Sequence, residues 1–339
     1  MLSFFRWVLF FIALFVTLMG GALYLGHELL VAQGPLGSVK RVVIPRGAGP
    51  AIMSKVLREE GVIAHPLLFR VALMIDPAPK QIKAGEYEIP ARASMLTVVE
   101  ILQSGKQVQR RLTVPEGTTT AEILEMVRKT EALAGEITVD VKEGDLLPET
   151  YFYSRDDTRD GLLLRMKEDM EKTLDEAWRK RAGGLPLANR QQALTLASII
   201  EKETGVASER SKVSAVFINR LRQKMKLESD PTTIYGIWER YEGNLHKSDL
   251  EQDTPWNTYT RGGLPAGPIG NPGEAAIEAA LHPAASEYLY FVSHNDGTHE
   301  FTRTYEEHLA AVRKFQLNSA ARKGKSWRDR LESLVLGWR

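Results

Sequence analysis

The run Gln191-Gln192-Ala193-Leu194-Thr195-Leu196-Ala197-Ser198-Ile199-Ile200-Glu201-Lys202-Glu203-Thr204 decides how the rest of the chain is read. A helix advances about 100° per residue, so with Leu196 at zero, Ile199 falls at about 300°, Ile200 at about 40° and Glu203 at about 340°. Glu203 therefore stands in the middle of an apolar stripe. Glu201 falls at about 140° and Lys202 at about 240°, both off it. The two glutamates point to nearly opposite sides and cannot form a carboxylate pair on this helix.

A carboxylate on a buried stripe is costly unless it is paired, hydrogen-bonded or neutral. Desolvation disfavours its ionised form and raises its pKa. An acid still protonated near neutral pH can hand its proton to a leaving oxygen, as glycosidic cleavage requires. The competing reading is a structural acid that pairs with a buried arginine or caps a turn, and the helix alone does not separate the two. Glu201 reads as structural or as a support behind the site.

Working outward, Ser208-Glu209-Arg210 opens a further helix through Val213, Val216, Phe217, Ile218, Asn219 and Leu221, so the chain turns just after Glu203. Three loop-like clusters follow: Asp230–Gly236, Asn257–Thr260 and Gly262–Gly273. Their glycines and prolines, interleaved with apolar residues, indicate defined turns. Asp230, Thr232, Tyr235, Asn257 and Tyr259 suit a polysaccharide, since rings pack on sugar faces and short polar side chains bind hydroxyls and acetamido groups. Several of them could instead only build the turns. A helix over Glu274–Leu281 ends at His282-Pro283, and Glu287–Ser293 and Glu300–Thr304 flank the turn Asn295-Asp296-Gly297 as a hairpin. His294 and His299 flank that turn and could come close, but two ligands without a third make no metal site. No zinc-helix, nucleotide-phosphate or nucleophile-elbow motif is found. Neither metal nor cofactor is expected.

Toward the N-terminus, Gly161–Arg181 is amphipathic, with Leu162, Leu163, Met166, Met170 and Leu174 on one side. Thr130–Arg159 reads as a variable connecting region. Val42–Ile44 reads as a strand, residues 51–57 and 67–74 as helices, and Ala84–Pro90 as another strand. Arg111–Gly117 and the helix after it weakly echo the first strand-helix pair. The strand-helix-helix plan is similar to a LysM-like module; a generic spacer domain explains it equally. His27–Ser38 reads as a short tether. From Trp7 to Leu25 no residue is charged, long enough for a hydrocarbon core of about 30 Å and longer than the apolar part of a cleavable signal. Arg6 lies on the short side, which predicts a cytoplasmic N-terminus and the rest outside.

Over 339 residues, the net charge of +1 argues against a nucleic-acid binder, and the lack of cysteine excludes disulfides and thiolate chemistry. A composition 43% hydrophobic and 26% charged excludes disorder of the whole chain. The expected class is α+β: residues 1–6 a cytoplasmic N-terminus, 7–25 a transmembrane helix, 38–110 a small LysM-like α/β domain, 111–320 a mixed α+β catalytic domain and 321–339 a tail.

The motifs Ala197–Thr204, Val206–Arg210, Val216–Leu221, Asp230-Pro231-Thr232, Asn257-Thr258-Tyr259 and Gly263-Leu264-Pro265 together resemble the MltG/YceG family of membrane-anchored endolytic murein transglycosylases. The resemblance covers nearly the whole chain. It implies Glu203 as the catalytic acid; Glu201, Glu209, Arg210 and Asn219 are read as structural or as support behind the site. It implies non-hydrolytic cleavage of peptidoglycan strands to 1,6-anhydromuramyl ends, which terminates their elongation, at a bacterial inner membrane beside penicillin-binding synthases. A single carboxyl acting as acid and then base suits a helix that offers one well-placed carboxylate. Two other readings stay open. A non-catalytic peptidoglycan-binding scaffold would not need Glu203 on its stripe. A hydrolase would need a second carboxylate, for which Asp230, Glu209 or Glu201 are candidates.

Overall fold

The computed structural model of the protein describes residues 2–75 and 81–317. The tail expected at 321–339 lies outside the described residues. The architecture is mixed α+β with one long apolar helix at its N-terminus. The chain forms two compact units. The first runs as far as Arg110 and adds Ala132–Ala134 and Phe152–Asp157; the second takes Arg111–Glu131, Gly135–Tyr151 and the chain from Thr158 onward.

In the first unit, helix α1 covers Leu2–Val31, and its stretch Phe4–Val31 is long and apolar enough to cross a membrane. Strand β1 (Lys40–Ile44), helices α2 (Pro50–Glu59) and α3 (Pro66–Ile75), strand β2 (Gly85–Ile89) and helix α4 (Met95–Ser104) follow. β1 and β2 pair antiparallel, from Lys40↔Ile89 to Ile44↔Gly85. Their period-two alternation turns Val42, Ile44, Tyr87 and Ile89 inward onto Leu57, Phe69, Val98 and Leu102. Local chemistry sets the helix ends. Pro50 opens α2, where its missing N–H is no loss. Ser94 caps α4 by accepting from the Thr97 N–H, and Gly105 stops it in the left-handed conformation.

The stretch expected as a tether is instead part of this unit. Leu30 and Leu36 are buried in the core just described. The Gly34 N–H donates to the Arg92 carbonyl (3.3 Å), and the Arg92 N–H to the Leu36 carbonyl (2.9 Å). A side chain at Gly34 would put its Cβ 2.2 Å from the Ala93 carbonyl oxygen. The sequence reading failed here because His27 and Glu28 break the apolar run, while the packing depends on single residues beyond them.

Strand β3 (Arg110–Thr113), helix α5 (Thr120–Lys129) and strand β4 (Thr150–Tyr153) come next, β3 pairing with β4. Then follow α6 (Arg159–Lys180), α7 (Arg190–Glu203), α8 (Arg210–Arg222), α9 (Asp230–Gly236), α10 (Lys247–Glu251), α11 (Glu274–Leu281), the strands β5 (Tyr290–Ser293) and β6 (His299–Thr302), and α12 (Tyr305–Val312). In the second unit α7 is the axis. Every residue from Ala193 to Ile200 is buried, with α6, α8, α9 and α11 around it. α11 can lie close because Ala276 and Ala280 are small and sit in the same core as Ala193 and Ala197. Asp230–Gly236 is helical where a loop was expected, since Pro231 in the first turn pre-sets the helical φ.

Replacing Gly34 with valine is expected to destabilise the first unit by about 1–3 kcal/mol through forced backbone movement. Gly37→Val, where a new Cβ meets nothing within 4 Å, serves as the neutral control. Thermal unfolding of the two variants checks this.

Candidate active site

Glu203 is the last residue of α7. Thr204 leaves the helix in an extended conformation, its hydroxyl accepting from the Val206 N–H at 3.0 Å. The carboxyl thus ends a helix that is buried from Ala193 to Ile200 yet keeps a partly open face. Its hydrogen-bond partner is Ser229, whose hydroxyl donates to Oε1 at 2.5 Å. Ser229 is in turn clamped, its N–H donating to Thr258 Oγ1 (3.0 Å) and its carbonyl accepting from the Thr232 hydroxyl (2.6 Å).

Burial pushes the Glu203 carboxyl up to about 7. The Ser229 hydrogen bond opposes that, the negative charge of Asp230 adds to it, and the positive charge of Arg220 pulls it down. Asp230 is open to solvent, and the Tyr259 hydroxyl donates to its Oδ1 at 2.6 Å. Crowding by protein raises the Asp230 carboxyl above its ordinary range, against that hydrogen bond. The Tyr259 hydroxyl is raised too, by burial first and then by Asp230, so it stays a donor.

Of the five residues read as sugar-binding, Asp230 and Tyr259 are brought together beside Glu203. The other three are framework. Thr232 and Asn257 are fully buried. The Asn257 amide donates to the Leu250 (2.9 Å) and Gln252 (2.7 Å) carbonyls, and its oxygen accepts from the Tyr259 N–H (2.8 Å). An amide so occupied shapes the turn that carries Tyr259 and has no capacity left for a ligand. Tyr235 packs on Trp256 and donates its hydroxyl to Glu143 at 2.9 Å.

The residues expected in support lie away from the Glu203 carboxyl. Glu201 accepts from the Gly273 N–H at the start of α11 (2.9 Å) and faces Arg210 (3.5 Å), which also reaches Glu116 (3.3 Å). Glu209 accepts from both the backbone and the ring of His299. Asn219 donates to the Ser286 and Tyr288 carbonyls and so holds the irregular segment that leads into β5. His294 meets Thr298 and Glu300, so the two hairpin histidines do not form a pair: each turns to its own carboxylate. Of the three carboxylates considered as second acids, only Asp230 acts on Glu203 electrostatically.

Four residues escaped the sequence reading. Ser229 precedes an Asp-Pro helix start, a recognisable cap position. Arg220 is buried and donates to the Lys226, Leu227 and Leu289 carbonyls and to Glu228. It lies four residues after Val216 and three after Phe217, a charge on an apolar stripe, the same signal that singled out Glu203. Asn271 and Glu143 join the connecting region to the Gly-Pro loop. The Asn271 amide donates to the Thr118 carbonyl and to Thr120, its oxygen accepts from the Leu146 N–H, and Glu143 accepts from the Thr120 N–H. No spacing in the sequence shows that the variable-looking region is pinned here.

The sequence profile of the YceG-like family matches residues 42–314. The chain belongs to that family. It is 29% identical over 330 residues to a Bacillus subtilis (strain 168) protein named endolytic murein transglycosylase, covering 88% of this chain and 91% of the relative. It is 26% identical over 351 residues to a Streptococcus pneumoniae serotype 2 protein of the same name, covering 87% of this chain and 62% of that protein, so this chain spans less than two thirds of the pneumococcal relative. A crystal structure of a yceG-like protein from Listeria monocytogenes shares 29% identity, with a TM-score of 0.50 over 80% of this chain and 98% of that one. The YceG-like match takes in Glu203, Ser229, Asp230 and Tyr259 alike.

A raised carboxyl pKa has a defined effect on stability. Relative to its ordinary value of 4.5, Glu203 costs the fold nothing below pH 4.5, and stability is lost as pH rises through about 7. The full loss is at most about 3 kcal/mol. E203Q is expected to melt above the wild type at pH 8 and to gain nothing at pH 4; an equal difference at both pH values would contradict this.

Proposed function

We propose that this YceG-like chain is a membrane-anchored peptidoglycan transglycosylase whose general acid is Glu203. The observation that carries the reading is a carboxyl pushed to about 7 at an accessible helix end, with one hydroxyl donor holding it. The names of the Bacillus and Streptococcus relatives support the substrate class.

In the proposed step, protonated Glu203 gives its proton to the oxygen linking N-acetylmuramic acid to N-acetylglucosamine. The bond from the muramyl anomeric carbon to that oxygen breaks, and positive charge develops on the sugar. Asp230, held in place by Tyr259, faces that charge with a carboxylate. The muramyl C6 hydroxyl bonds to the anomeric carbon and returns its proton to Glu203, so the enzyme is regenerated and a 1,6-anhydro ring closes without water. Ser229 steadies the ionised form between the two transfers, since a donor to a carboxylate favours its charge. Cutting inside nascent strands would end their elongation, and penicillin-binding synthases are the partners this role implies.

The strand-helix-helix-strand order of β1, α2, α3 and β2, with the outer strands antiparallel, supports the LysM-like reading of residues 38–110 as a glycan-binding module ahead of a catalytic domain. α1 supports a single span, and the charge of Arg6 favours a cytoplasmic N-terminus, which would put the catalytic unit outside a bacterial inner membrane.

A hydrolase is the second reading, favoured only by Asp230, a second carboxylate beside Glu203. The full-length protein in lipid nanodiscs, given purified glycan strands, separates them. Anhydro-ended products, falling roughly a hundredfold to ten-thousandfold in E203Q, are expected. Reducing ends would mean hydrolysis, and undiminished activity in E203Q would remove Glu203 from the chemistry.

A further inference from the structure

Helix α3 is apolar on both sides. Phe69 and Ala72 fill the core of the first unit, while Leu67 (69% exposed), Val71 (46%), Met74 (78%) and Ile75 (61%) project outward. On a helix, positions 67, 71, 74 and 75 fall on one face. A helix apolar all round is normally enclosed by protein or by lipid. At ten residues α3 is too short to cross a bilayer. Arg70, its one charged residue, is exposed beside that face, where a long side chain can bury its stem and keep its charge in water.

What covers this face follows from α1. The uncharged run Trp7–Leu25 is about 28 Å long as a helix, close to the hydrocarbon thickness of about 30 Å. Leu30, five residues on and so about 7–8 Å further, is already buried in the core of the first unit. The headgroup layer on each side is roughly 5–7 Å thick. There is no spacer: the folded core begins at about the outer edge of the lipid headgroups. Leu29 and Val31, on either side of Leu30, stay exposed, so the apolar surface of α1 continues up to the unit. The start of α3 lies beside that junction, with Leu29, Ala32 and Pro35 lining one recess together with His65 and Leu68.

We propose that the outer face of α3 is a membrane-seating surface, with Leu67, Val71, Met74 and Ile75 entering the interfacial region of the same bilayer that α1 crosses. The inference rests on the reading of α1 as a membrane span. Such a face buries its side chains about 5–10 Å into the boundary between headgroups and acyl chains. With α1 it would fix the first unit by two contacts, so that the unit cannot swing about the span. A partner protein would also cover an apolar face, but it would not explain why the face adjoins the exit of α1.

The chain has no cysteine, so single labels can be placed without background. Leu67→Cys, Val71→Cys and Met74→Cys, with Lys55→Cys on the exposed side of α2 and Leu18→Cys in α1 as references, would each carry an environment-sensitive fluorophore. The full chain is then placed, one copy per nanodisc, in phosphatidylethanolamine–phosphatidylglycerol bilayers with or without spin-labelled lipid. Emission at 67, 71 and 74 is expected to be blue-shifted and to fall by roughly half or more with the quenching lipid, as expected for shallow insertion, while position 55 is unaffected. Quenching at 18 with no quenching at 67, 71 and 74 would overturn the seating surface and leave the anchor intact. Absence of quenching at 18 would overturn both. A blue shift at 67, 71 and 74 without quenching would show cover by protein and likewise overturn the proposal.

Discussion

A protonatable carboxyl with one hydrogen-bond donor, at the end of a helix buried along most of its length, is the constraint around which the second unit is arranged. Along its packed stretch, Ala193–Ile200, every residue is buried, and Glu203 follows where the helix opens. Desolvation lifts Glu203 to about 7, the Ser229 hydrogen bond opposes it, and the surrounding charges act in opposite senses, Asp230 pushing up and Arg220 pulling down. Burial therefore sets the acid, and the neighbouring charges trim it.

Holding one carboxyl in that state takes a framework whose own polar groups are used up. Thr232, Thr258 and Asn257 bond to each other's turns, leaving Ser229 and Tyr259 aimed at the two acids. Arg220 sits behind, tying the 226–228 segment to the residue before β5. Further out, Asn271 and Glu143 fasten the loop that precedes α11, and Glu201 caps the start of α11 through the Gly273 N–H. The second glutamate of the Glu-Lys-Glu run does the chemistry proposed here, and the first serves packing. They divide these roles because they leave α7 on opposite sides.

Much of this was legible where periodicity or a local rule decides it. The α7 wheel selected Glu203 and rejected Glu201 as its pair, and α6, α11 and the β5–β6 hairpin lie within a few residues of their expected places. What escaped depends on long-range closure. Asn257 and Thr232 looked like ligand contacts because polar loop residues look alike until their partners are known, and Ser229 was hidden one position ahead of a more conspicuous Asp-Pro. The Thr130–Arg159 region had no period, yet Glu143 and Leu146 in it meet Asn271 some 125 residues away. The join of α1 to the first unit was missed for the same reason, since it rests on scattered residues such as Leu30, Gly34 and Leu36.

The central claim, that Glu203 is a neutral acid near physiological pH, is tested most directly by difference infrared titration. The carbonyl stretch of a protonated carboxyl, identified as the band missing from E203Q, is followed from pH 4 to pH 9 in wild type and in S229A. A midpoint near 7 is expected in the wild type and a higher one in S229A, because removing the Ser229 hydroxyl leaves the ionised form without its donor. A band that titrates with the ordinary glutamates near 4.5, or that Ser229→Ala leaves unmoved, would contradict it.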